Sequence, residues 1–261
     1  MFKGGTHTFM ENIEKPIRGI SGSTLKIIAI STMLIDHIGA TIMEEMVYAL
    51  SGNYGAMISM FNLMLGMRII GRLAFPIFCY LLVEGFLHTK NVKKYALRLF
   101  IFALISEIPF DFAINKTFFE FGHQNVFFTL LIGILLMYGI DFFRKYFKDN
   151  KKALSLSSFA VTFAAMLIAE LLKCDYASLG IAVIVLLYIF HDNKTLKTIS
   201  VCFIFVLYSV FTASILQAFA GFAFVPLYFY NGKKGFSMKY FFYAFYPVHL
   251  LILGIIVNYM S

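Results

Sequence analysis

The stretch TISVCFIFVLYSVFTASILQAFAGFAFVPLYFY, residues 198–230, holds no charged side chain in 33 consecutive positions. A single helix crosses the ~30 Å hydrocarbon layer of a bilayer with about 17–25 residues. The run is therefore too long for one crossing and divides near Phe211–Ser214 into two short ones. Working outward, comparable apolar runs cover 25–49, 68–88, 95–113, 126–143, 153–172, 177–190, 197–211, 213–230 and 240–259. The chain of 261 residues is 60% apolar and 14% charged, with a mean hydropathy of +0.81. Average soluble domains are about 45–50% apolar and about 25% charged, so a soluble fold is excluded. The pattern predicts an all-α polytopic membrane bundle of about nine helices. Cys79, Cys174 and Cys202 are scattered within or beside the apolar runs, which leaves no disulfide framework and no CxxC metal site.

Placement of positive charge tests that count. Counting alternate loops as cytoplasmic collects Lys3, Lys15, Arg18 and Lys26, then Lys90, Lys93, Lys94 and Arg98, then Arg144, Lys145, Lys148, Lys151 and Lys152. Lys194, Lys197, Lys233, Lys234 and Lys239 complete the set, which puts 18 of the 22 basic residues on one side. The loops at 191–197 and 231–239 then share a side, and an even number of crossings must separate them, as the split requires. The N-terminus is predicted inside and the C-terminus outside, in the cytoplasmic membrane. The formal charge of +8 thus orients the chain in the bilayer and signals no nucleic acid. Residues 1–24 read as a cytoplasmic segment and 25–261 as one membrane domain. Between the first and second spans, Ser51–Met67 carries Met57, Met60, Phe61 and Met64 at helical spacing, with Ser59 and Asn62 opposite, and predicts an amphipathic helix lying on the outer interface.

An ionisable group at the bilayer centre costs on the order of 2.5–3.5 kcal/mol even on the lenient insertion scale. Each such group needs a partner or a polar cavity. The first span carries Asp36 and His37 in MLIDHIGATI, and His37 lies eleven residues, roughly 16 Å, beyond Lys26. The last span carries His249 in FYPVHLLIL, ten residues and roughly 15 Å beyond Lys239. Two imidazoles thus share one depth. Neighbouring positions on a helix point about 100° apart, so Asp36 does not orient His37, and the orienting carboxylate is expected from another span. In SEIPFDF, Glu107 and Asp111 share a face in the outer half of the third span. Arg68 and Arg72 in RIIGRLAFP share a face at a similar level. Opposite charges at one depth predict pairing, either as a structural ion-pair network or as a polar outer vestibule of Arg72, Glu107 and Asp111 above His37, with Pro76 and Pro109 breaking the adjoining helices. Glu84 is expected to pair with Lys90, Lys93 or Lys94, and Glu170 to snorkel. His123, Gln124 and Asn125 cap the fourth span and reach the vestibule, while Asp175 and Tyr176 form a turn or cap. HExxH, P-loop, GxGxxG and CxxC motifs are absent from the sequence, which leaves no metal or nucleotide signature.

The strings LKIIAISTMLIDHIGA, RIIGRLAFPIFCYLLVEGFLHTKNVKKYALRLFIFALISEIPFD, NVFFTLLIG and KYFFYAFYPVHLLIL, in order between Leu25 and Val257, resemble the TraX family, known for acetylating conjugative pilin subunits. The resemblance implies an integral-membrane acetyltransferase, related more distantly to the transmembrane acyltransferases that acetylate surface glycans. In those relatives the first span places an essential histidine after a basic residue and ten intervening positions. Lys26 and His37 hold those places here, with Lys where Arg is commoner. The closing YPVHLLIL is similar to their histidine-bearing last spans. By this resemblance an acetyl group is carried by cytoplasmic acetyl-CoA and moved to an acceptor reached from the outer side, a protein N-terminus or a glycan. Catalytic candidates are His37, Asp36, His249, Glu107 and Asp111. Arg68, Arg72 and Asn125 are substrate-binding candidates, with Asn125 or Arg72 holding the oxyanion. Lys26, Lys93, Lys94 and Lys239 are candidates for the donor phosphates. General-base and acetyl-histidine routes both fit the residues. The rival class is a proton-coupled transporter, which would use the buried His, Asp and Glu as a relay; no repeat relates two halves of the chain.

Overall fold

A computed structural model describes residues 19–237 and 239–260, with the side chain of Lys239 outside that description. Residues 1–18 of the predicted N-terminal segment also lie outside it. Every predicted apolar run is helical, and no strand occurs among the described residues. In chain order the helices are α1 Gly22–Ile38, α2 Glu44–Ala49, α3 Tyr54–Gly71, α4 Ala74–His88, α5 Val92–Ile114 and α6 Val126–Tyr146. They continue with α7 Lys151–Leu171, α8 Ala177–Ile189, α9 Lys194–Phe211, α10 Phe224–Tyr228 and α11 Lys239–Met260. Among the described residues six helical runs are long and apolar enough to cross a membrane: Gly22–Ala49, Tyr54–His88, α6, α7, α9 and the last helix. The protein is a multi-pass membrane protein. Helix α5 is as long but carries Lys93, Lys94, Arg98, Glu107 and Asp111.

The uncharged run divides where expected. Helix α9 ends at Phe211, and a 3-10 segment, Ile215–Ala223, leads into α10. A 3-10 helix rises about 2.0 Å per residue and an α-helix about 1.5 Å, so these fourteen positions extend roughly 25 Å. That explains how so short a segment returns to the other face. Its end is laced to the start of α1: Ile20 and Tyr230 form an isolated bridge, Gly22 N donates to Lys233 O at 2.8 Å, and Ser23 N donates to Lys234 O at 3.0 Å. On the opposite face Gln124 and Cys174 form a second bridge, joining the 115–125 and 172–176 loops. The two groups of loops are those the charge pattern separated.

One expectation is corrected. Residues 54–67 do not form a helix apart on the interface. They are the first turns of α3, which packs back along α1 and continues into α4 through a two-residue break at Arg72–Leu73. Pro76 causes that break, because it offers no N–H to the Arg72 carbonyl and its ring crowds that carbonyl. Met57, Met60 and Met64 are half-buried and Ser59 and Asn62 exposed, as the spacing implied, whereas Phe61 of the same predicted set is exposed. The first helix also changes pitch, with a π-helical turn over Gly39–Met43 that begins two positions after His37. Helix α8 is apolar on all sides and forms the centre of the bundle, whereas α7 buries only Ala165 and Ala169.

Candidate active site

His37 and His249 meet. The Nδ1 of His37 lies 2.7 Å from Nε2 of His249, with the ring planes 3° apart and centroids at 5.0 Å. Two imidazoles in one plane, joined edge to edge, have this geometry. The Nδ1 of His249 lies 2.6 Å from the carbonyl oxygen of Phe245. A carbonyl only accepts, so His249 carries its proton on Nδ1 and presents a lone pair at Nε2. His37 must then donate from Nδ1, and its own Nε2 is left as a lone pair with no partner among the described residues. The tautomers follow from this hydrogen-bond network. The orienting group is therefore an imidazole from the last helix, in place of the carboxylate expected for that task.

Asp36 faces away from His37 into a two-arginine clamp. Its carboxylate accepts from Arg72 Nη2 at 2.7 and 2.8 Å and from Arg68 Nη1 at 2.9 Å, and Arg68 also reaches the Asp36 carbonyl at 3.2 Å. Gly71 makes this possible, since a Cβ there would collide with the Asp36 carboxyl group. The predicted network of Arg72 with Glu107 and Asp111 does not form. Those two acids organise the loop after α5 instead. Asp111 accepts from Glu120 N at 2.8 Å and Asn115 Nδ2 at 3.3 Å, and Glu107 accepts from the Asn125 side chain and from Asn125 N at 3.4 Å. Asn125 is fully buried. It caps α6 through its Oδ1, which accepts from Phe127 N, and gives its amide protons to Glu107 and the Ala103 carbonyl, so it has no donor left for an oxyanion.

Two cavities lie near the histidine pair, and only the smaller is lined by one of its members, His37. One, of about 130 Å³, is lined by Asp36, His37, Arg68, Arg72, His123 and Asp175, together with aromatic side chains. Neither Glu107 nor Asp111 lines it, which corrects the vestibule expected from the sequence. The other, of about 560 Å³, opens on the basic face among Lys26, Arg98, Lys234, His88 and Glu84. Met33, Phe78, Val126 and Tyr246 border both cavities and form the partition between them. Tyr246 sets its ring edge-on to both imidazoles, with centroids 6.0 Å from His37 and 5.7 Å from His249. Of the predicted phosphate ligands only Lys26 is at the larger cavity. Lys93 and Lys94 do not line it, and the Lys239 side chain lies outside the described residues. Glu84 also departs from expectation: it lies with Tyr80, Tyr230 and the buried Lys197, away from the α4–α5 loop cations. His123 stands 3.8 Å from Asp175, and that carboxylate, aided by Glu107 and Asp111, holds its imidazole protonated to higher pH than usual despite partial burial.

The family model for TraX protein matches residues 21–257. The chain belongs to the TraX family. It is also 29% identical, over 89% of its length and 94% of the relative's, to a protein of Dichelobacter nodosus described as "Probable fimbrial assembly protein FimC, serogroup H1". No solved structure matches. In this TraX chain, then, the two histidines singled out by depth are brought together, and Asp36, Arg68 and Arg72 join each other beside them. Glu107, Asp111 and Asn125 belong to a separate structural cluster. Sequence reasoning missed Arg98, Lys234 and Tyr246. Lys234 had a signal in the basic loop that precedes the last span, and Arg98 one in lying a single turn beyond Lys94. Tyr246 had none beyond its place three residues before His249.

Proposed function

We propose that this TraX-family chain is an acetyltransferase of the cytoplasmic membrane, moving acetyl from acetyl-CoA on the basic, inner side to an amine or hydroxyl acceptor on the outer side. The acceptor class is a protein N-terminus, in keeping with the pilus-assembly description of the relative, or a surface glycan. One observation carries the reading: His37, its tautomer directed by His249 and its Nε2 left free, lines one cavity beside Tyr246, which forms part of the partition from a second, larger cavity with a cationic lining.

The chemistry follows from that direction. Lys26, Lys234 and Arg98 supply positive charge for the donor's phosphates, and the Arg98 Nε is a buried donor without a partner among the described residues. The pantetheine arm runs along the apolar wall toward Met33 and Tyr246. As the acceptor nitrogen or oxygen attacks the thioester carbonyl, its proton passes to His37 Nε2, the C–S bond breaks with the electron pair on sulfur, and His37 returns the proton to the leaving thiolate. General-base help of this kind is worth about 10²–10⁴-fold. His249 fixes the tautomer and shares the charge that His37 acquires. Purified protein given acetyl-labelled CoA should release free CoA and label an added amine. A proton-coupled transporter would release none, and that result would overturn the reading.

A further inference from the structure

The imidazole pair takes up one proton and no more. Its far end is closed, because the His249 Nδ1–H is held by the Phe245 carbonyl, which accepts a hydrogen bond and passes no proton on. The proton accepted at His37 Nε2 is needed by the leaving thiolate. A hydroxyl acceptor is fully served by that arrangement. An amine is not, since near neutral pH it arrives as an ammonium ion, with an α-amino pKa of about 7.7–8.0, and must lose one proton before it can attack. That first proton needs a second base on the acceptor side.

The cavity that His37 lines contains such a base. Asp36 is committed to Arg68 and Arg72, and the Tyr176 ring is stacked on Phe75 with centroids 3.6 Å apart. His123 and Asp175 remain, 3.8 Å apart, with 43% and 32% of their side chains open, so they border the cavity and also reach its exterior. Apart from Asp175, the charged groups facing His123 are Glu107 and Asp111 of α5, both tied to loop amides. The Asp175 backbone is held independently of its carboxylate, by Gln124 and by the Thr129 hydroxyl. Arg72 is the other charged side chain that the Asp175 carboxylate acts on.

Resting on the acetyltransferase reading, we propose that His123, supported by Asp175, is the base that converts an ammonium acceptor into a free amine at the mouth of the outer cavity. The step breaks one N–H bond of R–NH3+ and forms one on the His123 imidazole, which then releases the proton to outside water. The amine attacks, its second proton goes to His37 and on to sulfur, and the sum is R–NH3+ plus acetyl-CoA giving R–NH–acetyl, CoA–SH and one proton. His123 thus selects for amines over hydroxyls below the amine's pKa.

The test compares two acceptors in one protein. With glycinamide as the amine probe, His123→Gln should slow acetylation about tenfold or more at pH 6.5, within the range expected for a lost general base, and the deficit should shrink as the pH rises past about 8, where the amine arrives neutral. Hydrolysis of acetyl-CoA, with water as acceptor, should stay near the wild-type rate, which also reports that the variant is folded. Added imidazole should restore the amine reaction. Asp175→Asn, which removes the anion that raises His123's proton affinity, should move the acid limb of amine acetylation to lower pH. Equal losses for both acceptors at every pH, or no loss at all, would overturn the proposal and leave the acetyltransferase reading standing. A wild-type protein that turns over neither acceptor would remove both.

Discussion

The two cavities differ in how their charges are held. In the larger one Lys26, Arg98 and Lys234 form no ion pair with a carboxylate among the described residues, and two of them lie against aromatic faces: the Lys26 Nζ is 5.3 Å from the Phe242 ring centroid and the Arg98 guanidinium 5.5 Å from that of Tyr95. In the smaller one the aspartate next to His37 is bound by two arginines, and His37 itself is bound by a second histidine. Unpaired cations bind an anion that comes and goes. Paired groups hold positions. Substitutions on the two sides should therefore fail differently, by lost affinity on the basic face and by lost rate or lost stability on the other.

The largest effect is expected at His37. His37→Ala removes the ring nitrogen of the pair that lacks a partner among the described residues, and should lower acetyl transfer by about 10²–10⁴-fold. Donor affinity should stay within a few-fold, since the cations proposed to meet the donor's phosphates are untouched. A variant that still transfers acetyl at near wild-type rate would erase the distinction between the cavities.

Next comes the clamp. Asp36→Ala strands two guanidinium groups, one of them buried, and removing one partner of a buried pair costs roughly 3–5 kcal/mol. A thermal melt in detergent should report the loss. Combining Asp36→Ala with Arg72→Ala should cost less than the sum of the single changes, whereas Arg72→Ala with Glu107→Ala should be additive, because those two belong to different clusters. The opposite pattern would reinstate the network that the sequence suggested.

How much of the molecule is legible in its sequence depends on what each feature obeys. Spans obey the bilayer, which acts on every residue alike, so the nine apolar runs and the break after Phe211 can be read from hydropathy and charge. Depth is a count along a helix, and counting from Lys26 and Lys239 is enough to set His37 level with His249. Partnership is harder. A helix face says which residues point together, not which neighbouring helix they meet. Arg68 and Arg72 meet Asp36 because Gly71 lets α3 close on α1 and Pro76 breaks the chain just beyond, and neither residue advertises its neighbour. Glu107 and Asp111 do share a face, but that face serves a loop nine to eighteen residues away. Arg98 reads as one more cation of the inner ring, and only the cavity beside it sets it apart.

His249→Ala should cost less than His37→Ala. It leaves the base in place but frees its tautomer and its ring orientation, and misplacing a reacting group by about 1 Å can cost 10²-fold. A fall of that size or smaller in kcat, with KM unchanged, is the expected result. His249→Gln, whose amide oxygen can accept from His37 Nδ1–H, should recover part of it. Loss of donor affinity instead would mean that His249 acts on the other cavity.

The smallest effect should come from Lys26→Ala. Lys26 lines the larger cavity, half-buried against Phe242, and shares its surroundings with the cation of Lys234. A single partly solvated charge contact contributes up to about 1 kcal/mol, or about fivefold in affinity. The KM for acetyl-CoA should therefore rise by roughly that factor while kcat stays nearly constant, the pattern of an interaction made equally in the ground and transition states. Because the contact is electrostatic, the wild-type KM should climb with ionic strength and the variant's should climb less. Acetyl-pantetheine, which lacks the nucleotide phosphates, should not distinguish the two proteins. If Lys26→Ala instead lowered kcat for both donors, the cation would be acting at the thioester, and the division between a binding cavity and a reacting one would be drawn in the wrong place.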